Sequence, residues 1–239
     1  MPEALSTEIG APASKNLMTP PLILASASPR RKEILAGLNL DFSVRPVDTD
    51  EGLDALEKRH PALYIAERKA QQAHRDFPGS WIIACDTVVE AQGLPAQPPL
   101  EDRNHSGASH TAVSSGPLYL GYLGKASDAA EARQMLEHLS GTEHFVRTGH
   151  VMVSPEGRFE WELTSTLVRF RELDENTLQW YISTGEWKDK AGAYAIQGYG
   201  CLLVEEIQGD YLNVVGLSPA ALDRILWRSG RRLMDFAEP

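Results

Sequence analysis

The stretch LILASASPRRKEIL, residues 22–35, decides how the rest of the chain is read. Its apolar start, Pro21 to Ala25, runs into a Ser-Ala-Ser-Pro turn and reads as a short buried strand. A helix is expected to follow, with Ser28 at its cap, Pro29 in its first position, and Ile34, Leu35 and Leu38 on one face. A second buried strand is expected where Trp81-Ile82-Ile83-Ala84-Cys85 enters Asp86-Thr87-Val88-Val89. Further strands are expected at 42–46, 144–153, 158–170 and 201–207, the middle two joined as a hairpin through Ser154-Pro155-Glu156-Gly157. Helical spacing recurs over about 61–74, 127–139, 174–183 (stopped by Gly185) and 219–236. Strands and helices alternate throughout without an internal repeat, which defines a mixed α/β or α+β class.

Outside this pattern, residues 1–20 read as a loose tail. Residues 92–118, rich in Gly, Pro, Ser and His, read as a long mobile loop inserted into a single domain over 21–239. The chain of 239 residues is long enough for a sizeable core, and its 42% hydrophobic content excludes disorder throughout. No apolar run approaches the roughly 20 residues that cross a membrane, and the first twenty residues lack the apolar region of a secretory signal. Two cysteines cannot build a disulfide framework, so a soluble protein of a reducing cytoplasm is expected. A net charge of −10 argues against wrapping a nucleic-acid polymer, which needs a broad basic face, but leaves room for a small phosphate ligand.

Five places carry chemistry. Arg30 and Arg31 fall in the first turn of a helix, where the macrodipole favours acids. The pair suits an anion held there by backbone N–H groups, by serine hydroxyls such as Ser26 and by guanidiniums; the alternative is solvation or pairing with Glu33. Asp86, after an apolar strand, calls for a cation or a metal, or else caps a turn; Thr87 beside it adds a hydroxyl. Lys69 lies on a helix whose apolar face is mostly alanine, and Lys125 precedes a helix; singly, each is an ordinary surface residue. The cluster Asp48-Thr49-Asp50-Glu51 either holds a hard divalent cation through water or is merely solvated. The run from Lys188 to Gly200, with Asp189, Tyr194 and Gln197 among its glycines, either meets a ligand or forms a tight turn. Phosphate-loop, dinucleotide-loop and zinc spacings are absent. Cations for phosphates, carboxylates for a metal and one strand-end aspartate together suit metal-assisted attack of water on a phosphoryl group.

At these residues the sequence resembles the Maf family of nucleoside triphosphate pyrophosphatases. The matching pieces are LILASASPRRKEIL (22–35), DE (50–51), ERKA (67–70), ACDTVV (84–89), LGKASDAAEARQMLEHLSG (123–141), GEWKDKAGAYAIQGYG (185–200) and GDYLNVVGLS (209–218). The resemblance implies an elongated α/β fold of the inosine-triphosphatase type, a mixed twisted sheet flanked by helices with a central cleft, and a homodimer. It implies metal-dependent cleavage, with Mg²⁺ or Mn²⁺, between the α and β phosphates of dTTP, UTP or modified nucleotides. By motif it assigns Asp86 as proton acceptor, Glu51 as a conserved acid that with Asp86 positions the metal, and Ser26, Arg30, Arg31, Lys69 and Lys125 as phosphate contacts. Arg30, Thr87 and Gln197 match the positions of the dTTP/UTP-preferring branch, and Asp189 lies in the same matched segment. Residues 92–118 replace a short connection, and Ala126 and Ser218 stand where the family often has proline. Two rival readings are a non-catalytic nucleotide-binding regulator of septum formation and a phosphomonoesterase releasing inorganic phosphate.

Overall fold

The computed structural model describes residues 20–47, 60–92 and 121–237. Apart from Pro20 and Gln92, the expected tail over 1–20 and the loop over 92–118 lie outside the described residues, as does the acidic cluster at 48–51 with Glu51.

Strands β1 (Leu22–Leu24), β2 (Ser43–Val44), β3 (Trp81–Ala91), β4 (Gly121–Leu123), β5 (Glu143–Val153), β6 (Phe159–Phe170) and β7 (Val204–Gln208) form one mixed sheet. Its order is β2-β1-β3-β5-β6-β7, with β4 also on β3; β1 is parallel to β2 and β3, and the remaining pairs are antiparallel. Helices α1 (Pro29–Gly37), α2 (Pro61–Asp76), α3 (Ala129–Leu139), α4 (Glu175–Thr184), α5 (Tyr211–Val215) and α6 (Pro219–Trp227) flank it. None of the described helices is long and apolar enough to cross a membrane.

The period-two alternation of β3 sorts its side chains between two cores. Ile82 and Ala84 pack with Ala66, Ala70 and Ala73 of α2, whereas Ile83 and Cys85 pack with Leu222, Ile225 and Leu226 of α6. A third cluster joins the far ends of β3, β5 and β6 to α3 and α4 through Val89, Val146, Val168, Leu136 and Leu178. The alanine face brings α2 close to the sheet. Gly149, paired with Asp86 across β3 and β5, closes the remaining space: a Cβ there would lie 2.5 Å from the Ala62 carbonyl oxygen.

Several element boundaries differ from the sequence reading. The last helix ends at Trp227 instead of reaching Phe236, because Gly230 adopts φ +72° and turns the chain into a short 3-10 segment, Leu233–Phe236. Arg232 folds back onto Asp223 at 2.6 Å, and Leu233 and Phe236 still reach the core of α6. The expected strand at 201–207 begins at Val204, since Gly198–Leu202 forms a 3-10 turn in which Gly200 packs directly on the Ala195 carbonyl. Helix α5 has no counterpart in the sequence reading; Asp210 caps it by accepting from the Leu212 and Asn213 amides. Ser28 occupies the N-cap of α1, but its side chain makes no capping bond. Leu38 is exposed, and Arg31 takes the place on the buried face beside Leu35. Asp86 does not end its strand: β3 continues to Ala91 along β5, and it is the neighbouring β1 that stops.

Two consequences can be measured. Gly149→Ala forces backbone against backbone, so thermal denaturation should give a loss of about 1–3 kcal/mol, the usual range for overpacking. His144 and His150 are held neutral by burial, at about 4 and about 3, and His150 Nε2 accepts the Ser218 amide at 2.8 Å. Both imidazoles take up protons on unfolding once the pH is below about 6.5, so their contribution to stability is complete above that value and is lost as the pH falls towards 4. Urea unfolding at pH 7 and pH 5.5 should therefore give lower stability at pH 5.5.

Candidate active site

Where β1 ends, the edge of β3 opens. Ala25 N–H still donates to the Ile83 carbonyl at 2.8 Å, and β4 resumes pairing only at Val89. Arg31, 8% exposed, fills the gap. Its Nη1 donates to the Cys85 carbonyl (2.8 Å) and to Ser26 Oγ (3.1 Å), Nε to the Gly216 carbonyl (2.8 Å), and Nη2 to Thr87 Oγ1 (3.1 Å). These bonds use four of the five guanidinium protons. Thr87 Oγ1 lies 2.9 Å from Thr148 Oγ1, which donates to the Asn213 carbonyl at 3.1 Å. The donors therefore run in one direction, Arg31 to Thr87 to Thr148 to the backbone of α5.

Ser26 Oγ accepts from both Arg31 and the Ser28 amide (3.2 Å), leaving its own proton to donate outward. No side chain caps the start of α1 and its first turn carries no acid, so amide protons and positive dipole face the opening. On the opposite side, Lys69 of α2 reaches Asp86 Oδ1 at 2.8 Å, with the two side chains 16% and 17% exposed. Among the described residues, Asp86 Oδ2 has no hydrogen-bond partner.

A third wall comes from Gly124-Lys125 and the segment 189–192. Lys125 and Ala191 form an isolated antiparallel bridge, and the Gly192 amide donates to the Gly124 carbonyl at 3.0 Å. Gly192, at φ +67°, allows this segment to lie against Val89 of β3. Asp189 adopts φ +59°, a conformation that aspartate tolerates better than most residues. Burial, followed by the neighbouring Arg31, holds Arg30 below the usual arginine value. Lys190 is lowered likewise, by burial and then by Arg30.

The three walls enclose a cleft of about 900 Å³. Ser26, Arg30, Arg31, Lys69, Asp86, Thr87, Lys125 and Asp189 all line it. Gln197 does not: it precedes the 3-10 turn, while its neighbour Ile196 faces the cleft. The lining also includes Tyr194, from the run expected to meet a ligand or form a tight turn, together with Lys190 and residues 214–216, which the sequence does not single out individually. Gly216 marks its segment through φ +126°, but nothing local distinguishes Lys190 from the exposed Lys188. Cys85 is fully buried, and burial pushes its thiol up to about 11, so it is no nucleophile.

Asp86 and Asp189 are the carboxylates of this cleft among the described residues, and these residues contain no cluster of three or more metal-ligating side chains. Such a set fits a hard divalent cation bound through one or two carboxylates together with substrate phosphate oxygens, rather than one caged by protein.

A mixed α/β sheet with cationic side chains, free helix-start amides and one paired carboxylate around an open strand edge defines an anion-accepting cleft protein. The chain belongs to the Maf family: the family model described as Maf-like protein matches residues 21–229. It is similar to a protein from Pyrococcus horikoshii named dTTP/UTP pyrophosphatase, at 43% identity over 82% of this chain and 90% of the relative. Relatives of the same name from Anaeromyxobacter dehalogenans and Myxococcus xanthus are each 40% identical, covering 89% and 87% of this chain and 96% and 92% of their own lengths.

The two adjacent arginines should separate on mutation. Arg31→Met strips donors from the buried Cys85 and Gly216 carbonyls and should cost on the order of 3 kcal/mol in urea unfolding. Arg30→Ala breaks no hydrogen bond or ion pair among the described residues and should leave stability within about 0.5 kcal/mol.

Proposed function

We propose that this chain is a nucleoside triphosphate pyrophosphatase that hydrolyses the α–β anhydride of dTTP and UTP. The observation that carries the reading is the Lys69–Asp86 pair set opposite cations in one cleft, beside the uncapped start of α1. The relatives named dTTP/UTP pyrophosphatase support the choice of nucleotide and of pyrophosphate as product.

In the proposed reaction, the α-phosphate lies between the α1 start and Asp86. Ser26 donates its hydroxyl proton to a phosphate oxygen, and the Arg30 and Arg31 amides supply further donors. Lys69 fixes the orientation of the Asp86 carboxylate through Oδ1. Oδ2 accepts a proton from the attacking water as the water oxygen bonds to the α-phosphorus. The α-phosphorus–bridging-oxygen bond breaks, its electron pair leaves with pyrophosphate, and the monophosphate remains. Arg31 keeps Thr87 and Gly216 in place beneath the substrate, while its buried charge adds to the positive potential. A Mg²⁺ or Mn²⁺ ion held by Asp86 and Glu51 with the nucleotide's own oxygens would polarise the α-phosphate and neutralise the triphosphate.

Two assays test the proposal. Incubation with dTTP or UTP and Mg²⁺ should release pyrophosphate and the monophosphate; inorganic phosphate as the direct product would contradict it. Asp86→Asn should lower kcat by about 10²–10⁴-fold, the usual worth of a positioned base, and turnover near the wild-type rate would remove Asp86 from the chemistry.

A further inference from the structure

We propose that Lys190, together with Arg30 and Lys125, forms a separate subsite for the two outer phosphates and hence for the departing pyrophosphate. This assignment rests on the pyrophosphatase reading and divides the labour within that cleft. The Lys69 charge is committed to Asp86, whereas Arg30, Lys125 and Lys190 all line the cleft without a carboxylate partner among the described residues. The Lys125–Ala191 bridge and the Gly192-to-Gly124 amide bond hold the Lys190 segment beside Lys125. Lys190 Nζ is steadied by the Lys188 carbonyl at 3.0 Å, which uses one of its three protons and leaves two to donate.

The electrostatics point the same way. Burial raises the cost of keeping the Lys190 charge, and Arg30 and then Lys125 repel it further. Asp189 and Glu186 attract it from the adjoining chain without reaching ion-pair distance. Arg30 and Lys190, half-buried, and the exposed Lys125 line one cleft, and a multiply charged anion between them would offset their mutual repulsion. Lys188 provides the contrast: two residues earlier, it is exposed and lies over the Trp187 ring at 5.9 Å. If Asp86 works at the α-phosphorus, the β and γ phosphates are the groups left for this cationic wall.

Calorimetry with inorganic pyrophosphate and, separately, thymidine monophosphate tests the subsite without turnover, so its failure is distinguishable from failure of the activity assay. Lys190→Ala should weaken pyrophosphate binding about tenfold or more, the loss expected for a charge-assisted contact, and leave monophosphate binding within about twofold. Lys190→Arg should restore most of the pyrophosphate affinity, and Lys188→Ala should bind as wild type. Unchanged pyrophosphate binding in Lys190→Ala would overturn the subsite, as would equal loss of both ligands or failure of arginine to rescue.

Discussion

The cleft depends on an interruption in the hydrogen bonding of β3. A parallel neighbour accompanies that strand only as far as Ile83, and the next partner on that edge arrives at Val89. Buried peptide groups left in such a gap need donors, and the Arg31 guanidinium supplies one to the Cys85 carbonyl. The same side chain ties in Ser26, Thr87 and Gly216, so that α1, β3 and the segment after α5 are joined through a single planar group. Lysine could not replace it, having neither the fork nor enough donors at fixed angles. Among the described residues no carboxylate neutralises this buried charge, which leaves positive potential beneath the opening.

Adjacent residues on a strand face opposite ways, and the open edge allows both to serve one cleft. Asp86 points to the α2 side, where the alanine face and Gly149 let Lys69 reach it. Thr87 points to the other side, where Arg31 and Thr148 engage its hydroxyl. An ion-paired carboxylate with one oxygen open to the cleft and a hydroxyl bonded on both sides thus sit one residue apart. Asp86 faces the ligand space through Oδ2, whereas Thr87 belongs to the scaffold.

Much of this was legible in the sequence, for identifiable reasons. Apolar runs bounded by Ser, Pro and Gly located β1, β3 and the β5–β6 hairpin, and the alanine stripe of α2 announced close packing around Lys69. Two arginines at a helix start drew notice as an electrostatic anomaly, but sequence could not separate their fates. Arg31 lies four residues before Leu35 and is carried inward with it; Arg30 is turned towards the cleft. The expected strand through Val89 matches most of β3, but Asp86 reads as a strand-end residue because the cation that makes a mid-strand carboxylate tolerable comes from a distant helix. Lys190 was invisible for a similar reason, since its position depends on a backbone bridge to Lys125, far away along the chain. Helix α5 is too short for periodicity to register, and Gly230, which ends α6, was hidden within an amphipathic pattern that continues into the 3-10 segment.

The most direct test of the account is a crystal structure with a dTTP analogue whose α–β bridging oxygen is replaced by a methylene. The α-phosphorus should lie beside Asp86, with a water between it and Oδ2 in line with the α–β bridge. An analogue bound with its γ-phosphate at Asp86, or outside the gap between β1 and β4, would contradict the assignment of Asp86 as the group that activates water.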